Sequence, residues 1–298
     1  MTVSPYARCV ARTCAALFFA ATATLAQQPP APAGPQPSGP LQEASRLDLA
    51  GRTADARAIF RRSIDSASDP AARAAAERAM AISYAFDGDC GNTLRYEAMV
   101  IAYWQTREQA EPQNAFYQEG ETADEAARVC IDAGALDSAE AWYRRGYELG
   151  MKEPAPRTHP ASLWDFRLAH ALARIAARRG DRAEAIRQIA AARRALDGDT
   201  VMAAQQRRFF PYLTGYVALY LGNLPEAERD LGLAVEARGN QRDPFLRCLL
   251  AMALERDGKQ GEANAMYRQA YDLATAHNPP AAFVRPYVRT KLGLEGGS

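Results

Sequence analysis

GALDSAEAWYRRG, residues 134–146, carries alanine five positions after its first glycine, tyrosine nine after it, and glycine again twelve after it. The same spacing returns four times. GRTADARAIFRRS begins at Gly51, GDRAEAIRQIAAA at Gly180, GNLPEAERDLGLA at Gly222 and GKQGEANAMYRQA at Gly258. The fifth offset is always alanine: Ala56, Ala139, Ala185, Ala227 and Ala263. The ninth is large and apolar or aromatic: Phe60, Tyr143, Ile189, Leu231 and Tyr267. The twelfth is small: Ser63, Gly146, Ala192, Ala234 and Ala270. Steps of four and three trace one stripe along a helix. Small residues on that stripe let a neighbouring helix approach closely, and the bulky residue fills the space between.

Upstream of each glycine the chain also repeats. Seven residues before it stand Ala44, Ala127, Ala173, Gly215 and Ala251, again sites of close contact. Each unit therefore reads as helix, tight turn, helix, the glycine supplying a backbone conformation that a Cβ disfavours. A sixth unit surrounds Gly88. Ala81 and Tyr84 fit its first helix, GDCGN reads as a longer turn, and the second stripe reads one residue late, at Leu94, Ala98 and Ile101.

The small residue before the turn, the turn glycine, then alanine, aromatic and small residue resemble the tetratricopeptide repeat family, as do the closing prolines Pro70 and Pro279. The resemblance covers 41–280 and implies an all-α fold: a right-handed α-solenoid of about six hairpins, with 281–298 as a C-terminal capping helix and tail. The glycines lie 37, 46, 46, 42 and 36 residues apart, against about 34 in the family. The excess falls in QTREQAEPQ (105–113) and MKEPAPRTHPAS (151–162). AAFVRPYVRTKL (281–292) reads as the capping helix, bent at Pro286.

Residues 1–26 read as a secretory signal: Arg8 and Arg12, then the apolar run CAALFFAATATLA, then small residues before a cut at Ala26–Gln27. Cys14 lies inside that run, which argues against a lipid anchor, and the run is too short to span a bilayer. QQPPAPAGPQPSGP (27–40) has no packable face and reads as a tether. The expectation is an exported protein, in a bacterial periplasm or beyond. The 298 residues carry a net charge of +1, which loss of the two leader arginines turns to −1. A near-neutral chain has no global field to hold nucleic acid. Three cysteines remain after cleavage, Cys90, Cys130 and Cys248. Cys90 and Cys130 fall near one edge of neighbouring units and could bridge in an oxidising compartment, although Cys130 also fits an ordinary buried small residue.

No phosphate-cradling loop, zinc-ligand spacing or nucleophile elbow occurs in the sequence. The histidines are scattered: His159 in a proline-rich loop, His170, and His277 at a helix end, where His159 and His277 read as solvated turn residues. The sequence points away from an enzyme and names no cofactor or metal. The resemblance implies instead a concave groove, lined by the first helices, that binds a peptide or protein. Positions ten, six and two before each glycine are its candidate lining. They give Asp124, Arg128 and Asp132, with Glu121 adjoining; His170, Arg174 and Arg178, with Arg167 one turn earlier; Tyr212, Tyr216 and Tyr220; and Cys248, Met252 and Arg256. Spacing of four sets the three tyrosine rings on one face. Gly215 and Ala218 already occupy the core offsets there, so the tyrosines are expected to face outward. Beside them the arginines would meet an acidic segment of a partner. The expected partner-binding residues are therefore Arg167, His170, Arg174, Arg178, Tyr212, Tyr216, Tyr220 and Met252. A permanent subunit of an envelope assembly is the alternative, and an unrecognised enzyme or small-ligand binder a third.

Overall fold

Residue 39 onward, as far as 294, is described by a computed structural model. The expected leader and nearly all of the tether lie outside those residues. The helices are α1 (Pro40–Leu49), α2 (Thr53–Asp65), α3 (Pro70–Phe86), α4 (Cys90–Gln105), α5 (Pro112–Asp132), α6 (Leu136–Met151), α7 (Ala161–Arg178), α8 (Arg182–Gly198), α9 (Thr200–Gln206), α10 (Phe210–Tyr220), α11 (Leu224–Glu236), α12 (Pro244–Arg256), α13 (Gln260–Leu273) and α14 (Pro279–Leu292). A single 3-10 turn, Arg207–Phe209, precedes α10. No strand occurs among the described residues. Helices pack chiefly on their sequence neighbours, most extensively in the pairs α3–α4, α5–α6, α7–α8, α10–α11 and α12–α13, with α1–α2 comparable to α2–α3.

One turn joins all six pairs. Gly51, Gly88, Gly134, Gly180, Gly222 and Gly258 have φ between 67° and 85°, the left-handed region where a Cβ is strained. After each, the next N–H donates to the carbonyl five residues back: Arg52 to Leu47, Asp89 to Tyr84, Ala135 to Cys130, Asp181 to Ala176, Asn223 to Ala218 and Lys259 to Leu254, at 2.8–3.0 Å. That bond satisfies a carbonyl the helix end would leave open. Starts are equally local. Asp69, Asp89, Asp181 and Asp243 accept N–H bonds from the first turns of α3, α4, α8 and α12, and prolines open α1, α3, α5, α10, α11, α12 and α14.

The stripe forms the buried seam. Ala56, Ala139, Ala185, Ala227 and Ala263 are fully buried, as are Phe60, Leu231 and Tyr267. The unit at Gly88 needs correcting on two counts. Its turn closes like the others, and the regular offsets Thr93, Glu97 and Val100 are buried; of the expected late stripe only Ile101 is buried, fully. Leu94 and Ala98 are only half-buried. Polar residues in core places disguised the register: the Thr93 hydroxyl donates to the Ala81 carbonyl, and burial pushes the Glu97 carboxyl well above its usual range.

Inter-unit excess takes three forms. The helix α5 is lengthened to 21 residues. The loop 152–160 is tied by Arg157, whose guanidinium donates to the carbonyls of Gly150, Met151, Glu153 and His159. The third, α9 with its 3-10 turn, was not anticipated. Cys90, at the start of α4, is bonded to Cys130 in α5, their Cα atoms 4.9 Å apart; Cys248 is free and buried.

Placement of the last helix departs most from expectation. The helix α14 begins at Pro279, two residues early, and continues through Pro286. It does not end the stack at its far side. It packs on α3, α12, α13 and α5 and touches α1, so one apolar cluster runs from Ile82 in α3 to Val288 in α14. His277, just before α14, is no solvated turn residue. Its side chain is 6% exposed, its ring lies beside Phe60 and Phe86, and its Nε2 stands 2.8 Å from the carboxylate of Asp48, itself fully buried in α1. The Arg289 guanidinium donates to the Leu49 carbonyl at 2.5 Å. First and last helices thus meet.

Candidate functional site: an arginine–tyrosine ladder

The expected lining residues do come together, and the register on neighbouring first helices explains why. From α7, Arg174 donates to the hydroxyls of Tyr212 in α10 and Tyr143 in α6, both at 2.9 Å. One turn on, Arg178 donates to Tyr216 and Tyr220 at 3.4 and 3.3 Å. Both guanidiniums also sit beside ring faces: Arg174 is 5.6 Å from the centroids of Tyr143 and Tyr212, and Arg178 is 4.7 Å from that of Tyr220. Two turns before Arg174, Arg167 pairs with Glu121 of α5 at 2.6 Å and lies over Trp164.

Their exposure overturns the expected outward face. Tyr216 is fully buried, and Tyr212, His170, Arg174 and Met252 are each under 9% exposed. Only Arg167, Arg178 and Tyr220 are half-buried. The reason is that a helix inside a stack has more than one covered side. The small-residue stripe seals a helix against its own partner, while the other face meets the next pair. A phenol there needs a hydrogen bond, and the arginine of the adjacent helix supplies it. The five buried residues, His170, Arg174, Tyr212, Tyr216 and Met252, are chiefly an inter-helix joint.

Tyr143 was legible only as a core position; its hydroxyl is what the seam could not account for. Burial holds it up at about 12, despite the Arg174 charge beside it. His170 lies between Phe166 and Tyr212. Burial, and then the Arg174 charge, push its imidazole well below the usual range, and its Nε2 has no hydrogen-bond partner. It is a neutral ring in an apolar slot.

The carboxylates opposite are the unpaired members. Asp124 and Asp132 of α5 keep some solvent contact, yet protein surrounds them, and neither makes a hydrogen bond or ion pair among the described residues. Burial raises Asp124 to about 8, against the pull of Arg167. Asp132 is raised to about 6, again by burial, with Arg128, Arg174 and Arg178 acting in the opposite direction. Between them Arg128 lies 4.3 Å from the Phe245 centroid, its Nε unpartnered. On α12 Arg256 donates to the Leu219 carbonyl. The other scattered histidine, His159, stacks on Tyr117 at 3.8 Å and bonds Glu153. Among the described residues no group of three His, Cys, Asp or Glu side chains could hold a metal ion, and no helix is long and apolar enough to cross a membrane.

No protein-family model matches the chain, and a search of curated proteins finds no similar sequence. What supports a function is therefore the register and the geometry alone.

Proposed function

We propose that the protein is an exported, non-enzymatic scaffold of the tetratricopeptide type, a right-handed α-solenoid of six hairpins that holds a protein or peptide partner on its inner side. The observation that carries this reading is the identical glycine closure at six places in one register, since stacked pairs of this kind generate an extended inner face. The partner meets the half-buried members at the two ends of the ladder, Arg167 on one side and Arg178 with Tyr220 on the other, whose charges and phenol suit an acidic segment. Arg174, His170, Tyr212, Tyr216 and Met252 hold them in place from behind. The signal-like leader supports a periplasmic address.

Photocrosslinking from position 178 in the native envelope, followed by mass spectrometry, tests the proposal. A single partner that is lost in a variant carrying Arg178→Glu and Tyr220→Ala, assayed at a temperature where circular dichroism shows the variant still folded, supports it. Crosslinks that do not depend on those two side chains overturn it. A second reading, a permanent subunit of an envelope assembly, is favoured by the exposed apolar side chains Ile186, Val201 and Leu233 on α8, α9 and α11. On that reading the purified chain aggregates alone.

A further inference from the structure

Where α14 folds across the ends of α3 and α5 it leaves a cavity of about 400 Å³. Its deep wall is apolar, with Phe86, Val129, Pro279 and Ala282 all buried. Phe283 and Tyr287, one turn apart on α14, are stacked with centroids 5.4 Å apart and present an aromatic side to the space. Gly88, Ala133 and Thr290 are exposed at the mouth, which opens the cavity to solvent beside the six-fold repeated turn.

Three charged residues line it: Asp87, Asp132 and Lys291. Two are already answered. Asp87 pairs with Arg57 and accepts from the Thr53 hydroxyl, and the Lys291 ammonium pairs with Glu255 at 2.9 Å. Asp132 is not. The arginines nearest to it hold other partners, Arg174 and Arg178 the tyrosine hydroxyls and Arg128 the Phe245 ring, and none comes within ion-pair distance. A partly desolvated carboxylate without a hydrogen bond is costly, and aromatic faces beside it attract cations. An anionic ligand would meet a like charge at Asp132 and would have to take Lys291 from Glu255. A neutral apolar ligand would leave Asp132 unpaired.

We propose that this cavity is a binding site for an organic cation with an apolar body, an alkyl- or arylammonium, its tail between Val129, Ala282 and the Phe283–Tyr287 pair and its ammonium on the Asp132 carboxylate. The cavity's lining contains neither Arg178 nor Tyr220, although Asp132 lies within electrostatic reach of both, and the assignment does not depend on the scaffold reading.

Calorimetric titration of the full exported chain with octylamine, 1-octanol and octanoate tests this, because the three share a tail and differ in the head. Octylamine is expected to bind most tightly and octanoate least. Asp132→Asn should weaken octylamine by at least about tenfold, the worth of one charged hydrogen bond, and leave 1-octanol unchanged. Removing an unpaired carboxylate should not lower the melting point, so a folding loss will not mimic the result. Ala133→Trp, at the open mouth, should abolish binding of all three. Preference for octanoate, no binding of octylamine, an unaltered ranking in Asp132→Asn, or full binding in Ala133→Trp would each overturn the assignment.

Discussion

The side chains that matter most are polar groups placed where the pattern reserves space for apolar ones. Arg174, 5% exposed, holds two phenols whose hydroxyls have no other route to a partner. Arg174→Ala strands both and is expected to cost about 3 kcal/mol in urea unfolding. Arg174→Lys should recover only part, because a single ammonium does not reproduce the planar fork. Asp124 makes a prediction in the other sense. Its folded carboxyl titrates at about 8, whereas in the unfolded chain it ionises near the ordinary value of about 4. The folded form therefore binds more protons over that interval, and stability contributed at this position is lost as pH rises from about 4 to about 8. Asp124→Asn should raise the melting temperature at pH 8 and converge with the parent near pH 4; equal melting curves at both pH values would refute the assignment. The sequence disclosed the location of Arg174 and the tyrosines but not their burial. Spacing shows which residues share a helix face, and what covers that face depends on a neighbour far along the chain.

At the scale of the element, the seam was almost fully readable. Close helix contact demands small residues at fixed offsets, and that demand leaves its mark in each unit. It failed at α4 because Thr93 and Glu97 stand where alanine and an aromatic were expected, and a hydrogen bond to a carbonyl has no sequence spacing of its own. It was silent too on a second device, the glycines between α5 and α6. A Cβ on Gly150 would lie 2.1 Å from the Trp164 indole, and one on Gly120 2.4 Å from it. The two glycines make the slot in which the fully buried Trp164 sits. Gly150→Ala is expected to destabilise by about 1–3 kcal/mol, despite alanine's better helix propensity. Differential scanning calorimetry decides it, and an unchanged or raised midpoint would mean the indole has room to move.

Across the whole array, what the sequence withheld is its closure. Each hairpin is specified locally, but where the last one arrives depends on small rotations accumulated through every interface before it, and no short motif encodes their total. Hence α14 reads as an end cap and is found against α3 and α1, with His277 on the buried Asp48 carboxylate and Arg289 on the Leu49 carbonyl. That return creates both the continuous apolar cluster and the cavity beside Asp132. The most direct test is a double electron–electron resonance distance between spin labels at Arg52→Cys, in the first turn, and Leu294→Cys, just after α14. Closure gives one narrow, short distance that lengthens when unfolding begins. An open stack of six hairpins at interaxial steps of about 10 Å would instead separate the labels by roughly 50 Å, and that distance in the folded protein would contradict it.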